Sequence, residues 1–97
     1  MIYMVTSLFD LVDERAYITY GVAARAMVEQ YNGKFLVASH GSFELTAMEG
    51  ELPAVVNVAV FPSKERYFEF YNSPEYQKLK QDRTSFCRSQ ITMLERK

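Results

Sequence analysis

Apolar and polar positions change period several times along the chain, and the changes mark out its elements. Residues 2–9 (IYMVTSLF) are rich in β-branched and aromatic types and predict a strand. The period then lengthens. Tyr17, Tyr20, Ala24, Met27 and Tyr31 recur at steps of 3, 4, 3 and 4, one stripe of an amphipathic helix over about 12–32. Asp10 and Asp13 both suit its N-cap, and Glu14 suits the positive end of the helix dipole. Gly33 after Asn32 supplies a C-terminal stop. Residues 35–39 (FLVAS) predict a second strand, His40-Gly41-Ser42 a turn or bulge, and 43–49 (FELTAME) a stretch able to continue that strand. A turn over 50–53 leads into a third strand, 54–61 (AVVNVAVF), ended by Pro62.

Ser63 caps a second helix in the pattern Ser-x-x-Arg66, without the glutamate of a full capping box. That helix runs to about Asn72. Pro74 then interrupts, because the residue before a proline avoids the helical region, and Glu75 to Thr84 forms a short second helical piece. Residues 89–95 (SQITMLE) predict the last strand. The order β-α-β-β-α-β predicts an α+β, ferredoxin-like sandwich: a four-stranded antiparallel sheet with two helices on one face.

Alternation within the strands adds a second expectation. Val56, Val58 and Val60 point one way and Val55, Ala59 and Phe61 the other, with Asn57 the only polar interruption. Ile2, Met4 and Leu8 oppose Tyr3, Val5 and Phe9 in the same manner. A sheet solvated on one face would be polar at every second position. Here both faces are apolar, while helices can cover only one. The other would expose an apolar patch on the order of several hundred Å², more than a monomer ordinarily carries. Self-association about a two-fold axis, open sheet face against open sheet face, predicts a homodimer.

Composition narrows the classes. Ninety-seven residues suit one domain spanning 1–97, and 48% hydrophobic with 24% charged residues is a globular balance. The net charge of −1 and the lack of any long basic run argue against nucleic acid and anionic membrane as partners. No apolar run approaches the roughly 20 residues of a membrane span. No secretory leader is expected from the first residues, and the single Cys87 cannot form an internal disulfide, so a cytoplasmic location is expected.

The segment Phe61-Pro62-Ser63, then Phe70-Tyr71-Asn72-Ser73-Pro74-Glu75-Tyr76, then Leu79 and Arg83 resembles the signature of the bacterial domain-of-unknown-function family number 1330. The likeness extends over nearly the whole chain, through Tyr20, Tyr31-Asn32-Gly33-Lys34-Phe35 and Met48-Glu49-Gly50. It implies a branch of the dimeric α+β-barrel superfamily, in agreement with the two-face argument. Two positions depart from the family pattern. Val60 stands where an acidic residue commonly precedes Phe-Pro, and Asn32-Gly33 stands where the family often has paired glycines. The family carries no activity to transfer. The wider superfamily includes cofactor-free monooxygenases, isomerases, haem peroxidase relatives and ligand-sensing modules, and fold does not choose among them.

The candidate chemistry is sparse. His40 is the only histidine, which removes His-pair metal sites; it reads as a lone general base or haem ligand near a pocket, or as a polar turn residue beside Gly41, and a chain this short can barely build the apolar cavity that a haem needs. No metal and no cofactor is expected. Cys87 reads as a buried, inert thiol. Tyr20 and Tyr31 lie on the helical stripe, where a hydroxyl needs a partner; they read either as core or as the wall of a pocket between helix and sheet. Tyr76 and Arg83 are seven apart and can share a helix face. Arg83 can anchor a carboxylate or enolate, or pair with Glu75, Asp82 or Glu49. Glu49 reads as an acid/base or as an exposed turn carboxylate. Two functions follow. One is a small dimeric barrel binding an apolar or weakly acidic small molecule, acting as a cofactor-independent, monooxygenase- or isomerase-like enzyme. In it Tyr20, Tyr31 and Tyr76 orient the ligand, Arg83 stabilises negative charge, and His40 or Glu49 moves a proton. The other is a non-catalytic ligand-sensing or assembly homodimer.

Overall fold

A computed structural model describes residues 1–97. Its elements are β1 (Ile2–Phe9), α1 (Glu14–Gln30), β2 (Lys34–Ala38), β3 (Val55–Phe61), α2 (Lys64–Tyr71), α3 (Pro74–Thr84) and β4 (Arg88–Glu95). The four strands form one antiparallel sheet in the order β2-β3-β1-β4. This is the ferredoxin-like arrangement that the element order predicts, with three helices rather than two.

Each helix begins where a short polar side chain can satisfy free backbone N–H groups. Asp13, not Asp10, caps α1, its carboxylate accepting from the Ala16 N–H at 3.0 Å. Ser63 does the same for α2 at Arg66 and Ser73 for α3 at Tyr76. Ser73 also donates its hydroxyl proton to the Phe70 carbonyl at 2.8 Å, so one side chain closes α2 and opens α3. Pro74 at the first turn of α3 needs no N–H there and makes the break sharp.

The inward face of the sheet follows the alternation. Ile2, Met4, Thr6 and Leu8 of β1 and Val55, Asn57, Ala59 and Phe61 of β3 are buried beneath the helices. They pack with Tyr17, Tyr20, Ala24 and Val28 of α1, Tyr67 and Phe70 of α2, and Tyr76 and Leu79 of α3. The opposite face carries Tyr3, Val5 and Phe9 beside Val56, Val58 and Val60, continued by Leu94 on β4, and no helix crosses it.

Two local features depart from the expected pattern. Lys34 and Phe35 pair with Val60 and Ala59, but Val37 pairs with Val58, so Leu36 is an extra, bulged residue in β2. The bulge restores parity: Phe35 and Ala38 both face the helices. Beyond Ala38 the strand does not continue through 43–49. The Ser39 hydroxyl accepts from the Val56 N–H at 2.8 Å, and the Asn57 side-chain oxygen accepts from the Ser39 N–H at 3.2 Å. The Ser39 N–H also donates to the Val56 carbonyl at 3.2 Å, so Asn57 shares that donor while the Ser39 hydroxyl stands in for a backbone acceptor, and the chain turns away as Ser42 and Phe43 donate to the Ser39 carbonyl. Gly41 completes the turn at φ +77°.

The end of α1 accounts for Asn32-Gly33. Asn32 adopts φ 66°, which asparagine tolerates better than most non-glycine residues. A Cβ on Gly33 would lie 2.8 Å from the Phe61 ring and 2.8 Å from a Val28 methyl. Only the second position therefore demands glycine for space.

Candidate functional site

Between α1 and the inner face of the sheet lies a cavity of about 270 Å³. Tyr17, Tyr20, Gly21 and Ala24 of α1 form one wall, Met4, Thr6, Phe35 and Asn57 of the sheet another, and Phe70 and Tyr76 the end. The lining is mostly apolar with a few polar groups, the composition of a small-molecule pocket. His40, on the turn after β2, stands at the rim. Its ring centroid is 5.0 Å from that of Tyr17, and its Nε2 is 4.0 Å from a carboxylate oxygen of Glu14.

Behind the Tyr20 and Tyr76 end sits Arg83, 2% exposed. Its Nη1 donates to the Tyr20 hydroxyl at 2.9 Å and to the Tyr76 hydroxyl at 3.1 Å. The guanidinium also lies 5.7 Å from the Tyr20 ring centroid, within cation–π range. No carboxylate pairs with it: every ion pair of the chain involves other residues, Glu75, Asp82 and Glu49 included among the carboxylates that do not reach it. Its Nε is sealed from solvent and makes no hydrogen bond. Burial opposes the charge on Arg83, but the two phenol oxygens together outweigh it and hold the guanidinium above its ordinary pKa. Burial likewise pushes the Tyr20 phenol up, with Arg83 pulling partly back. Burial thus favours the neutral phenol of Tyr20, whose oxygen accepts from Arg83.

The structure thus brings Tyr20, Tyr76 and Arg83 together and places His40 at the mouth of the same cavity. Tyr31 lies elsewhere. It sits half-buried at the C-terminal end of α1, edge-on to Phe70 at 6.2 Å and under the Arg66 guanidinium at 5.1 Å. Glu49 is exposed on the loop between β2 and β3, outside the cavity lining. Cys87 is half-buried, its thiol donating to the Arg83 carbonyl at 3.6 Å, and burial raises its pKa.

Sequence reasoning passed over Asn57 and Thr6. Both are buried, 8% and 5% exposed, and both line the cavity. The Asn57 oxygen is committed to Ser39, which leaves its Nδ2 without a partner in the chain. The available signal was the polar interruption itself: an asparagine on the covered face of a strand otherwise built from Val, Ala and Phe.

The chain matches the model of the family described as domain of unknown function (DUF1330) over residues 1–96, and it belongs to that family. Among solved structures it is similar to a protein of unknown function from Rhodopseudomonas palustris, with 21% identity and a TM-score of 0.70, over 96% of this chain and 79% of that one. A dimeric ferredoxin-like protein of unknown function from Jannaschia sp. CCS1 is 16% identical, with a TM-score of 0.72 and 97% of each chain covered. SnoaB, a cofactor-independent oxygenase from Streptomyces nogalater, is 11% identical, with a TM-score of 0.70 over 99% of this chain and 92% of that one. No curated protein matches the sequence. At these identities the likeness establishes the fold, and activities stay with the proteins they describe.

Proposed function

We propose that this member of the DUF1330 family is a homodimer that binds a small apolar or weakly acidic molecule between α1 and the sheet and acts on it as a cofactor-independent enzyme. The observation that carries the reading is the cavity backed by an arginine with no carboxylate partner. A buried guanidinium held only by two neutral phenols is a poor way to stabilise a core. It is a good way to stabilise negative charge that develops on a bound molecule. The enzyme version gives Tyr20 and Tyr76 the orienting role, Arg83 the electrostatic one and His40 at the rim the proton transfer. Abstraction of a proton beside a carbonyl puts that proton on His40 and the charge on the carbonyl oxygen. An isomerase returns the proton to another carbon, whereas an oxygenase passes the electrons to dioxygen as co-substrate. SnoaB, an oxygenase without a cofactor on a similar fold, is consistent with such chemistry but does not select it.

The apolar sheet face supports the dimer, the partner being a second copy seated face to face on Tyr3, Val5, Phe9, Val56 and Val58. The Jannaschia neighbour, dimeric by its own description, is in keeping with this. One observation favours a second reading, a non-catalytic ligand-sensing dimer: the enclosed walls hold Tyr, Thr and Asn, and the single histidine stands only at the rim.

Native mass spectrometry of freshly purified protein tests the reading. Twice the 11.3 kDa chain mass with an additional small bound species is expected. That species should be lost in Gly21→Leu, whose side chain would project at a lining position of the cavity. A bare dimer unaltered by Gly21→Leu speaks against a ligand, and a monomer speaks against the covered sheet face.

A further inference from the structure

Resting on that reading, we propose that Tyr20 and Tyr76, fixed from behind by Arg83, form a hole for one negatively charged oxygen, and that the ligand is a small aromatic phenolate or the enolate of a small carbonyl compound. A guanidinium only donates, so each phenol oxygen in its two contacts is the acceptor. The O–H proton of each phenol is therefore not used in these contacts. Neither hydroxyl donates that proton to any other group of the chain, although Tyr20 is 8% and Tyr76 2% exposed. Both side chains line the cavity, while Arg83 does not. Because both hydroxyls share a single nitrogen, one ligand oxygen can reach both protons at once. The positive charge behind them polarises the O–H bonds, which strengthens donation to an anion more than to a neutral acceptor.

The rest of the cavity agrees in sign. The free Asn57 Nδ2 adds another donor on the sheet wall, and no carboxylate lines the space. Other groups able to carry charge on the lining are His40 at the rim and Arg25, which is exposed and paired with Glu29 at 3.6 Å. Glu14, the carboxylate nearest the mouth, is solvent-facing beside His40. Apolar walls with donors converging at one end suit a flat apolar body with an anionic oxygen at one edge. A ligand that is itself a donor, such as an amine or a cation, would meet phenol protons there, with the positive charge of Arg83 behind them.

The probes are p-nitrophenol, whose phenolate alone absorbs strongly in visible light, and nitrobenzene, a neutral molecule of similar shape. Both are titrated into the full-length protein, with binding of nitrobenzene followed by its competition with p-nitrophenol. The proposal expects bound p-nitrophenol to appear as phenolate at pH values where the free probe is still largely a phenol. Tyr20→Phe and Tyr76→Phe keep the ring that fills the core. Each should weaken phenolate binding by about tenfold to a hundredfold, the scale of a hydrogen bond to a charged group, and weaken neutral nitrobenzene, a poor acceptor, far less. Thermal unfolding confirms that the variants remain folded. If nitrobenzene binds but p-nitrophenol binds as the neutral phenol, or binds equally to the phenylalanine variants, the oxyanion hole is wrong and the cavity reading survives. If neither probe binds, the cavity reading fails and takes the proposal with it.

Discussion

The covered face of the sheet has two differently built corners. Around Phe61 the packing is closed. Phe61 is fully buried, its ring lies 5.3 Å from Tyr67 and 5.1 Å from Phe70, a residue the two corners share, and the backbone of Gly33 approaches so closely that no methyl group fits. Across α1, around Tyr17, Tyr20 and Asn57, the same layers leave about 270 Å³ open and line it with hydroxyls, an amide and, behind them, an unpaired arginine. A core selected only for stability would fill both corners with Leu, Val and Phe. One corner carries the fold, and the other is held open by it.

The largest expected contrast comes from emptying the closed corner. Phe61→Ala should cost about 3–5 kcal/mol in urea unfolding, because the ring is completely buried and its neighbours are fixed by the sheet. A pair of glycines sharpens the comparison at intermediate size. Gly33→Ala should cost about 1–3 kcal/mol, since its methyl meets Phe61 and Val28 at 2.8 Å. Gly21→Ala should instead stabilise by up to about 1 kcal/mol, because it lies inside α1 and its nearest obstacle, the Tyr17 ring, is 4.0 Å away. Equal losses at both glycines would erase the distinction between the corners. The smallest effect is one of pH. Burial pushes Tyr67, in the closed corner, up to about 12, and raises Tyr20 as well. Both phenols then stay protonated in the folded chain after the unfolded chain has begun to ionise near pH ~10. Their contribution to stability is complete below that pH and is lost as pH rises towards 12. Urea midpoints should be flat for these groups up to about pH 9 and fall above it, whereas midpoints that rise over that range would contradict the assignment.

Much of this was legible in the chain, for physical reasons that apply unevenly. Alternation in β1 and β3 gave both the buried set and the apolar outer face, because strand periodicity is local. The Tyr17, Tyr20, Ala24 stripe and the Pro74 break were legible for the same reason, although Val28, not Met27, completes the buried stripe. The spacing of Tyr76 and Arg83 correctly placed them on one helical face, and their hydrogen bond follows from it. The Tyr20 contact to Arg83 joins residues 63 positions apart, a distance over which no local pattern informs. The Leu36 bulge was invisible because apolar residues fill 35–38 whichever way each one points. The departure of 40–53 from the sheet follows a Ser39 hydroxyl that stands in for a backbone acceptor and an Asn57 oxygen that shares the Ser39 N–H, tertiary contacts that propensity does not register. Tyr31 continued the stripe on paper, but at the end of α1 its ring turns to Phe70 and Arg66 rather than to the cavity.

The most direct test is a crystal structure of the protein with p-nitrophenol bound at a pH where the probe is a phenolate. The ring is expected between α1 and the sheet, with its oxygen about 3 Å from both the Tyr20 and the Tyr76 hydroxyl oxygens and Arg83 unmoved behind them. A probe seated with its oxygen towards His40 at the rim, or bound elsewhere while the cavity stays empty, would contradict it.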